Sequence, residues 1–444
     1  MSTSSSSSST QGGDSGGGGA ELEAGPSSSR SRMRSSNGVW PEPFLEALAV
    51  HVAVDASRTI GRLAAAQALF NIFQVCSTWR AISRSDLLWQ NLARSIWNVG
   101  DLVLRESWRE EYVYRHRTAA AFRSRRYEHA TLQFVPTDNN DDGLSCRRLA
   151  LSDHHLAAGF SDGAVRLFHI PTRLHLSTFY PQHRDRLGPF SSAVSGIILF
   201  HARLVFATLD GDIHMAAFNG FSPLRRAHLG DVVNDGVLVD FGGCHRWWVG
   251  LYAGVPGRAF RIWNGETEEL VSVGGRLTDP EAVMGWHMLT ELTGIIGRIR
   301  VVSGDMAVAC TEDRVVVLHL LSLGALEERE EEFQEGIVVG AFDAYNDFAM
   351  VPDAQGAAIV RRVGGMEEVC RFTMREGVSF GCMNGGYGVT WGGGVIRVWD
   401  IERGQYLYRF RERIGECNAL IADERFVAAC CDDATIHLWD FGAQ

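Results

Sequence analysis

Apolar and polar positions follow two different patterns along this chain. After Thr131, short runs alternate apolar and polar residues and are separated by turns rich in glycine and aspartate. That period of two predicts half-buried β-strands. Between residues 44 and 98, apolar residues instead recur at three- and four-residue steps, which predicts helices with one buried face. We therefore expect a small helical part followed by a large β part.

Seven segments of the β part share one pattern: a strand, a turn of two to four residues and a second strand. This pattern is typical of β-hairpins. Their spacing is close to the roughly 40–45 residues of one propeller blade. Three of them end in Trp-Asp or Trp-Asn, and in this the segments resemble divergent WD repeats. The segments cover residues 156–168, 204–217, 248–263, 306–318, 348–361, 387–399 and 426–439.

The last repeat supplies only three strands before residue 444. A fourth strand must come from elsewhere, because an open strand edge is a liability. We expect residues 131–135 to pair beside residues 434–439 and close the ring. The alternative is that residues 131–135 form a linker strand and the last blade has three strands.

Composition limits the class of protein. The net charge of −11 argues against general nucleic-acid binding, which needs a basic surface. Nine cysteines without a CxxC pair, and no recognisable secretory leader, indicate a reducing intracellular compartment. Residues 1–37 are rich in serine and glycine, and we expect them to be disordered.

The helical part resembles the F-box family. The start is WPEPFL at residues 40–45, the centre is VCSTWR at residues 75–80, and the end is LWQNL at residues 88–92. The gap before residue 75 is longer than in the family pattern, so the helix boundaries stay open. The alternative is an ordinary three-helix bundle in which Trp79 and Trp89 are core residues.

The F-box resemblance implies partners and a site. The implied partner is a Skp-type adaptor, and through it a cullin. A short bundle leaves part of its apolar surface uncovered, and such a surface favours a partner. The residues expected to face the adaptor or to shape this surface are Pro41, Leu45, Leu48, Val75 and Trp79.

Longer runs resemble a plant family that joins an F-box to a divergent WD-repeat-like propeller. The runs are residues 40–48, 230–264 and 277–292, within a resemblance that spans most of residues 38–444. The resemblance implies a nuclear developmental regulator of flower and organ growth, whose targets for degradation are transcriptional regulators.

The expected fold class is a small all-α F-box module followed by an all-β seven-bladed propeller. The expected domains are a disordered tail (1–37), an F-box (38–98), a helical linker that acts as a spacer (99–130) and a propeller (131–444). The expected function is that of the substrate-recognition subunit of a Skp-cullin-F-box ubiquitin ligase. The alternative is a nuclear propeller scaffold or transcriptional co-regulator that acts without a ligase.

No catalytic constellation, metal site or cofactor motif is recognisable in the sequence. We therefore expect a non-catalytic protein without a cofactor. Arginine makes bidentate contacts to acidic or phosphorylated peptides, so arginines in or near predicted loops are candidates for binding the target protein. They are Arg184, Arg186, Arg225, Arg226, Arg246 and Arg258.

Overall fold

The computed structural model describes most of the chain after residue 39. The predicted disordered tail at 1–37 lies outside the described residues. The described ranges are 40–100, 105–134, 144–181, 187–218, 223–278, 282–291, 294–302, 305–321, 328–375 and 377–442.

Five α-helices precede the sheets. They are α1 (Glu42–Thr59), α2 (Ala64–Phe73), α3 (Ser77–Ala81), α4 (Asp86–Trp97) and α5 (Trp108–Arg123). Serine side chains cap two of them, because a hydroxyl oxygen can accept from a free amide in the first turn. Ser85 accepts from the Leu88 N–H at the start of α4, and Ser107 accepts from the Glu110 N–H at the start of α5.

The rest of the described chain is almost entirely antiparallel sheet. Five sheets have four strands each. They consist of β1 (Glu128–Leu132) with β26 (Cys417–Ala422), β27 (Phe426–Cys431) and β28 (Ile436–Asp440); β2 (Cys146–Leu151), β3 (His155–Phe160), β4 (Val165–His169) and β5 (Leu174–Phe179); β14 (Arg298–Val302), β15 (Met306–Cys310), β16 (Arg314–His319) and β17 (Glu328–Glu332); β18 (Asp343–Tyr345), β19 (Phe348–Pro352), β20 (Ala357–Arg362) and β21 (Glu368–Thr373); and β22 (Val378–Met383), β23 (Tyr387–Gly392), β24 (Val395–Asp400) and β25 (Gln405–Arg409).

A sixth sheet has eight strands. It contains β6 (Val194–Phe200), β7 (Arg203–Thr208), β8 (Ile213–Ala217), β9 (Arg225–His228), β10 (Val237–Gly243), β11 (Trp247–Ala253), β12 (Phe260–Asn264) and β13 (Leu270–Gly274). Two short helices lie in the connections that lead to β10 and β14, namely α6 (Val232–Asp235) and α7 (Ala282–His287).

Two four-stranded units form the eight-stranded sheet because β6 and β10 meet in parallel at Gly196 and Phe241. The two backbones can approach this closely only because Gly196 has no side chain. A Cβ at that position would overlap the Phe241 carbonyl oxygen. Any residue other than glycine would therefore force the two strands apart.

The first strand of each unit lies on the inside of a ring. Contacts run from β2 to β6, β10, β14, β18, β22 and β26, and from β26 back to β2. β1 pairs with β28, with Glu128 opposite Asp440 and Leu132 opposite Ile436. The predicted closure of the ring by a strand from before the first repeat is confirmed, although this strand begins three residues earlier than expected.

The predicted fold class, a small all-α F-box module followed by a seven-bladed propeller, is wrong. Within the described residues the propeller has five separate four-stranded blades, and the remaining strands form the single eight-stranded sheet. Residue spacing could not reveal this, because one parallel bridge between β6 and β10 joins units that are otherwise ordinary hairpins.

The helices have a core of their own, but α5 joins it to the core of the propeller, and so the helices do not form an independent module. α5 buries Trp108, Tyr112 and Ala119 among the other helices, and Phe122 among the strands. The Phe122 ring stacks on the Phe441 ring with centroids 3.7 Å apart. Together these contacts place α5 in both cores at once.

The second strand of most units is buried on both faces because neighbouring sheets cover it. β11 and β27 consist entirely of buried residues. The period of two is therefore lost in these strands, as it is in strands covered on both sides. The sequence pattern predicted half-buried strands, and tertiary packing accounts for the difference.

One fully buried histidine makes the stability of the propeller depend on pH. His214 on β8 is 0% exposed and stacks on Phe206. Among the described residues, neither of its ring nitrogens has a hydrogen-bond partner. Burial lowers the pKa of His214 to about 4, because a charged ring would be desolvated and the nearby charge of Asp212 offsets this only in part.

We expect His214 to destabilise the propeller increasingly as the pH falls below about 6.5, the ordinary pKa of histidine. Between pH 6.5 and pH 4 the unfolded chain binds a proton at His214 and the folded chain does not, so acid favours unfolding. At pH 5 this contribution amounts to roughly 2 kcal/mol. Urea unfolding of the natural chain and of the His214→Leu variant at pH 7.5 and pH 5 measures this contribution. On going to pH 5, the variant should gain stability relative to the natural chain by that amount.

The matched control is His51→Gln, which alters an exposed histidine on α1. This variant should keep the full pH dependence of the natural chain. Equal pH dependence in His214→Leu and the natural chain would show that the buried ring is not responsible.

Candidate functional site

The strand order gives the propeller two different ends. Each unit runs as four antiparallel strands, so every inner strand begins at one end of the ring and finishes at the other. We call the end where the inner strands begin the upper face, and the opposite end the lower face. The connections that lead into inner strands, and the turns between second and third strands, all lie on the upper face.

The upper face carries exposed apolar side chains. α6 and α7 both lie there, since they precede the inner strands β10 and β14. Val233 on α6 is 72% exposed and Val283 on α7 is 66% exposed, and Met284 and Trp286 are exposed as well. We call these four residues the upper apolar patch. Exposed apolar side chains gathered on one face of a protein make that face a candidate interaction site.

Small residues and a buried anchor hold α7 in place. A Cβ at Gly254, whose φ is +113°, would meet the Trp286 indole, and a Cβ at Gly285 would meet Ala253. After the helix, Leu289 is buried, and its carbonyl accepts from the Phe190 N–H at 3.1 Å. α7 is therefore fixed to β11 and to a neighbouring connection, while its outer side chains stay in solvent.

The lower face is where the helices meet the propeller. Arg62, between α1 and α2, donates to Glu424 at 3.0 Å in the turn between β26 and β27. Its backbone N–H donates to Glu402 at 3.0 Å. Its guanidinium also lies over the Trp97 ring, 5.0 Å from the centroid. Arg62 therefore ties the helices to two separate turns of the lower face.

The structure places the five predicted adaptor residues in different environments. Pro41 and Val75 are exposed, and Val75 is 62% exposed. Leu48 and Trp79 are half-buried, and Leu45 is fully buried in the helical core. Leu45 can therefore shape the helical surface but cannot touch a partner in this arrangement. Contact of any of the five with an adaptor stays a prediction.

A groove of about 910 Å³ opens between α2, α3 and α5. Phe70, Phe73 and Tyr112 are among the residues that line it, together with Arg80 and Arg109. Phe70 is exposed to solvent although it lies on the same helix as buried Leu69. The helices thus present a second apolar surface, with arginines beside it, away from the upper face.

The four predicted target-binding arginines that the structure describes do not form one cluster. Arg184 and Arg186 lie outside the described residues. Arg246 follows β10 on the lower face and pairs with Asp305 at 2.7 Å. Arg258 is on the upper face, with its guanidinium 3.5 Å from the carboxylate of Asp235.

The other two arginines are neighbours on the outer strand β9. Arg225 pairs with Glu268, and Arg226 pairs with Asp212 at 3.0 Å. All four described arginines are thus occupied by carboxylates of this chain. A role in binding the target stays a prediction for each of them.

The central channel contains a network of charges that the sequence analysis missed. Arg148 on β2 donates to Asp240 on β10 at 2.8 Å, and Arg300 on β14 lies 3.3 Å from the same carboxylate. Arg300 also donates to Asp343 on β18 at 2.7 Å. Asp343 in turn accepts from the Met383 N–H on β22 at 2.9 Å. The network therefore connects five of the inner strands across the channel.

A signal for this network exists in the sequence. Charged residues interrupt strands that are otherwise apolar, as Asp240 does in VLVDFGG and Arg300 does in RIRVV. Buried charges must be paired, so each of these residues predicts an oppositely charged side chain beside it. Sequence alone cannot identify the partners, because Arg148, Asp240 and Arg300 are far apart in the chain.

Within the described ranges, no group of three or more histidine, cysteine, aspartate or glutamate side chains could hold a metal ion. Among the same residues, no helix is both long enough and apolar enough to cross a membrane.

Antiparallel four-stranded units around a central channel define a β-propeller of the WD40 type. Two solved structures agree with this fold. One is titled "Structure of U3-55K" (TM-score 0.52, 11% identity, covering 70% of this chain and 98% of that one). The other is titled "Crystal structure of RRP9 WD40 repeats" (TM-score 0.53, 12% identity, covering 70% and 97%). At these identities the likeness concerns the fold alone.

A sequence relative identifies the family. The chain is 54% identical over 426 residues to a protein of Arabidopsis thaliana named "Transcriptional regulator STERILE APETALA", covering 94% of this chain and 95% of the relative. No protein-family model matches the chain. The chain belongs to the STERILE APETALA family, and the resemblance to this plant family is confirmed.

Proposed function

We propose that this chain is a nuclear, non-catalytic scaffold that regulates transcription by binding a protein partner on its upper face. The upper apolar patch is the observation that carries this proposal. Val233, Val283, Met284 and Trp286 are exposed, and α7, which carries three of the four, is packed closely against β11. A rigid apolar surface binds with a smaller loss of entropy than a flexible one.

The family supports the nuclear and regulatory part of the proposal, because the Arabidopsis relative is named a transcriptional regulator. The net charge of −11 supports a protein partner rather than direct contact with DNA. By this proposal the chain makes and breaks no covalent bonds. It brings other proteins together, which raises their effective concentration.

We expect the variant Val283→Asp with Met284→Asp to lose its nuclear partners. A charge in the centre of an apolar interface is desolvated without compensation, so recovery of the partners should fall roughly tenfold or more. The measurement is quantitative mass spectrometry of proteins recovered with the full chain from nuclei.

Leu174→Asp is the matched control, since Leu174 is also exposed but lies on the outer strand β5. Its partners should match those of the natural chain. If the patch variant recovers the same transcriptional regulators in the same amounts, the upper face is not the binding surface.

A second candidate function is supported by the exposed side chains on the helices. By this candidate, the chain is the substrate-recognition subunit of a Skp-cullin-F-box ubiquitin ligase, and it holds a transcriptional regulator of flower and organ development for ubiquitination. Phe44 and Val75 are both exposed. α1 and α2 pack together and are joined by four residues, so the chain turns back along α1 as it forms α2. An adaptor could cover both residues at once.

This candidate predicts that Val75→Asp abolishes co-purification of the full chain with a Skp-type adaptor. Point variants suit the test because deletion of the helices would uncover the propeller core around Phe122. Val283→Asp, on the opposite face, should bind the adaptor as the natural chain does. If the folded natural chain recovers no adaptor, the scaffold function stands without a ligase.

A further inference from the structure

The upper half of the central channel holds more positive than negative charge. Arg148 and Arg300 are paired with the carboxylates of Asp240 and Asp343. Two further arginines, Arg147 on β2 and Arg298 at the start of β14, line the same cavity of about 420 Å³. Among the described residues, neither of these two forms an ion pair.

Backbone carbonyl groups are the hydrogen-bond partners found for these two guanidinium groups. Arg147 Nε donates to the Val194 carbonyl at 3.2 Å. Arg298 Nη1 donates to the Phe342 carbonyl at 3.1 Å, while its Nε is buried and has no partner among the described residues. Arg298 is only 4% exposed. Carbonyl oxygens carry no net charge, and the nearby carboxylates of Asp240 and Asp343 are already paired with Arg148 and Arg300, so the desolvation of the two cations is offset only in part.

The pKa values of these two arginines agree with an excess of positive charge. Burial lowers the pKa of Arg147 to about 10, and the neighbouring charge of Arg148 adds to the effect. Burial likewise lowers the pKa of Arg298 to about 10, with Arg300 adding to it. An anion beside the two guanidinium groups would raise the pKa values of both arginines again.

The remaining acid that lines the cavity lies at the other end. Asp423 follows β26 on the lower face. Its carboxylate accepts from the backbone N–H groups of Arg425 and Phe426. Burial raises the pKa of Asp423 to about 7. Asp423 is therefore partly neutral near pH 7 and is held by its own turn.

We propose that the upper half of the channel binds a phosphate-class anion through Arg147 and Arg298. Arginine suits this ligand, because its planar guanidinium presents paired N–H donors to phosphate oxygens. The cavity is far larger than the roughly 30 Å³ of one water molecule, so it has room for a phosphate group. The phosphate could be free in solution or carried on a side chain. The proposal does not depend on the partner that binds the upper apolar patch.

Isothermal titration of the full chain with inorganic phosphate tests the proposal. Chloride at equal ionic strength is the reference, because it controls for screening of exposed charges. We expect phosphate to bind, and Arg147→Gln to weaken this binding about tenfold by removing one charge-assisted contact. Arg147 lies outside the ion-paired network, so the variant should fold, and an unchanged urea midpoint confirms that.

Arg203→Gln is the matched control, because Arg203 is exposed at the start of β7 and does not line the channel. This variant should bind phosphate as the natural chain does. Titration with N-acetyl-phosphoserine amide separates the two sources of the anion. If N-acetyl-phosphoserine amide binds more tightly than inorganic phosphate, the natural ligand is a phosphorylated side chain. If inorganic phosphate binds more tightly, the natural ligand is a free anion.

Two results would overturn the proposal. One is the absence of phosphate binding by the natural chain at millimolar concentration, which means that water alone solvates the channel arginines. The other is equal binding by Arg147→Gln and the natural chain, which places any bound phosphate elsewhere.

Discussion

The arrangement of the inner strands depends on the buried carboxylate of Asp240. One of its oxygens accepts a hydrogen bond from Arg148 on one inner strand, and the other accepts from Arg300 on another. Arg300 also donates to Asp343 on a third inner strand. Both Arg148 and Asp240 are almost fully removed from solvent. Loss of one partner from such a buried pair typically costs about 3–5 kcal/mol, because the other charge is left without compensation. The network therefore favours one arrangement of the inner strands over all others.

A ring fixed in this way separates two surfaces. α6 and α7 stand on the upper face, where the inner strands begin, and the helices α1 to α5 gather at the lower face. α5 has side chains in both cores, so the helices and the propeller are held as one body. A partner on the upper face and a partner on the helices could therefore bind at the same time without competing. This geometry agrees with the proposed scaffold function, in which two partners are bound at once.

Part of this structure could be predicted from the sequence. The hairpins follow from local signals, since turn residues and alternating positions act over a few residues. The closing strand follows from the open edge that a three-stranded last repeat would leave. The joining of β6 and β10 could not be predicted, because it rests on one close approach at Gly196. The same applies to α5, whose short apolar stretch gave no indication that Phe122 belongs to the propeller core.

The candidate sites were harder to predict than the fold. The F-box resemblance singled out both Leu45 and Val75, yet one is buried and the other is exposed. Arginine positions in loops gave no information about acids that are distant in sequence, so the pairing of Arg246 with Asp305 was not foreseen. The upper apolar patch lies on two short helices, α6 and α7, which show no strong sequence pattern, and only the fold shows that its residues face solvent.

Hydrogen exchange of the Asp240→Asn variant tests most directly whether the channel charges hold the ring. The substitution keeps the shape of the side chain and removes its charge, and Asp55→Asn on the exposed side of α1 is the control. The network predicts faster exchange in β2, β10, β14 and β18 together, with the control unchanged. Faster exchange confined to β10, or none at all, would contradict the account, because the inner strands would then be held by their hydrogen bonds and apolar packing alone.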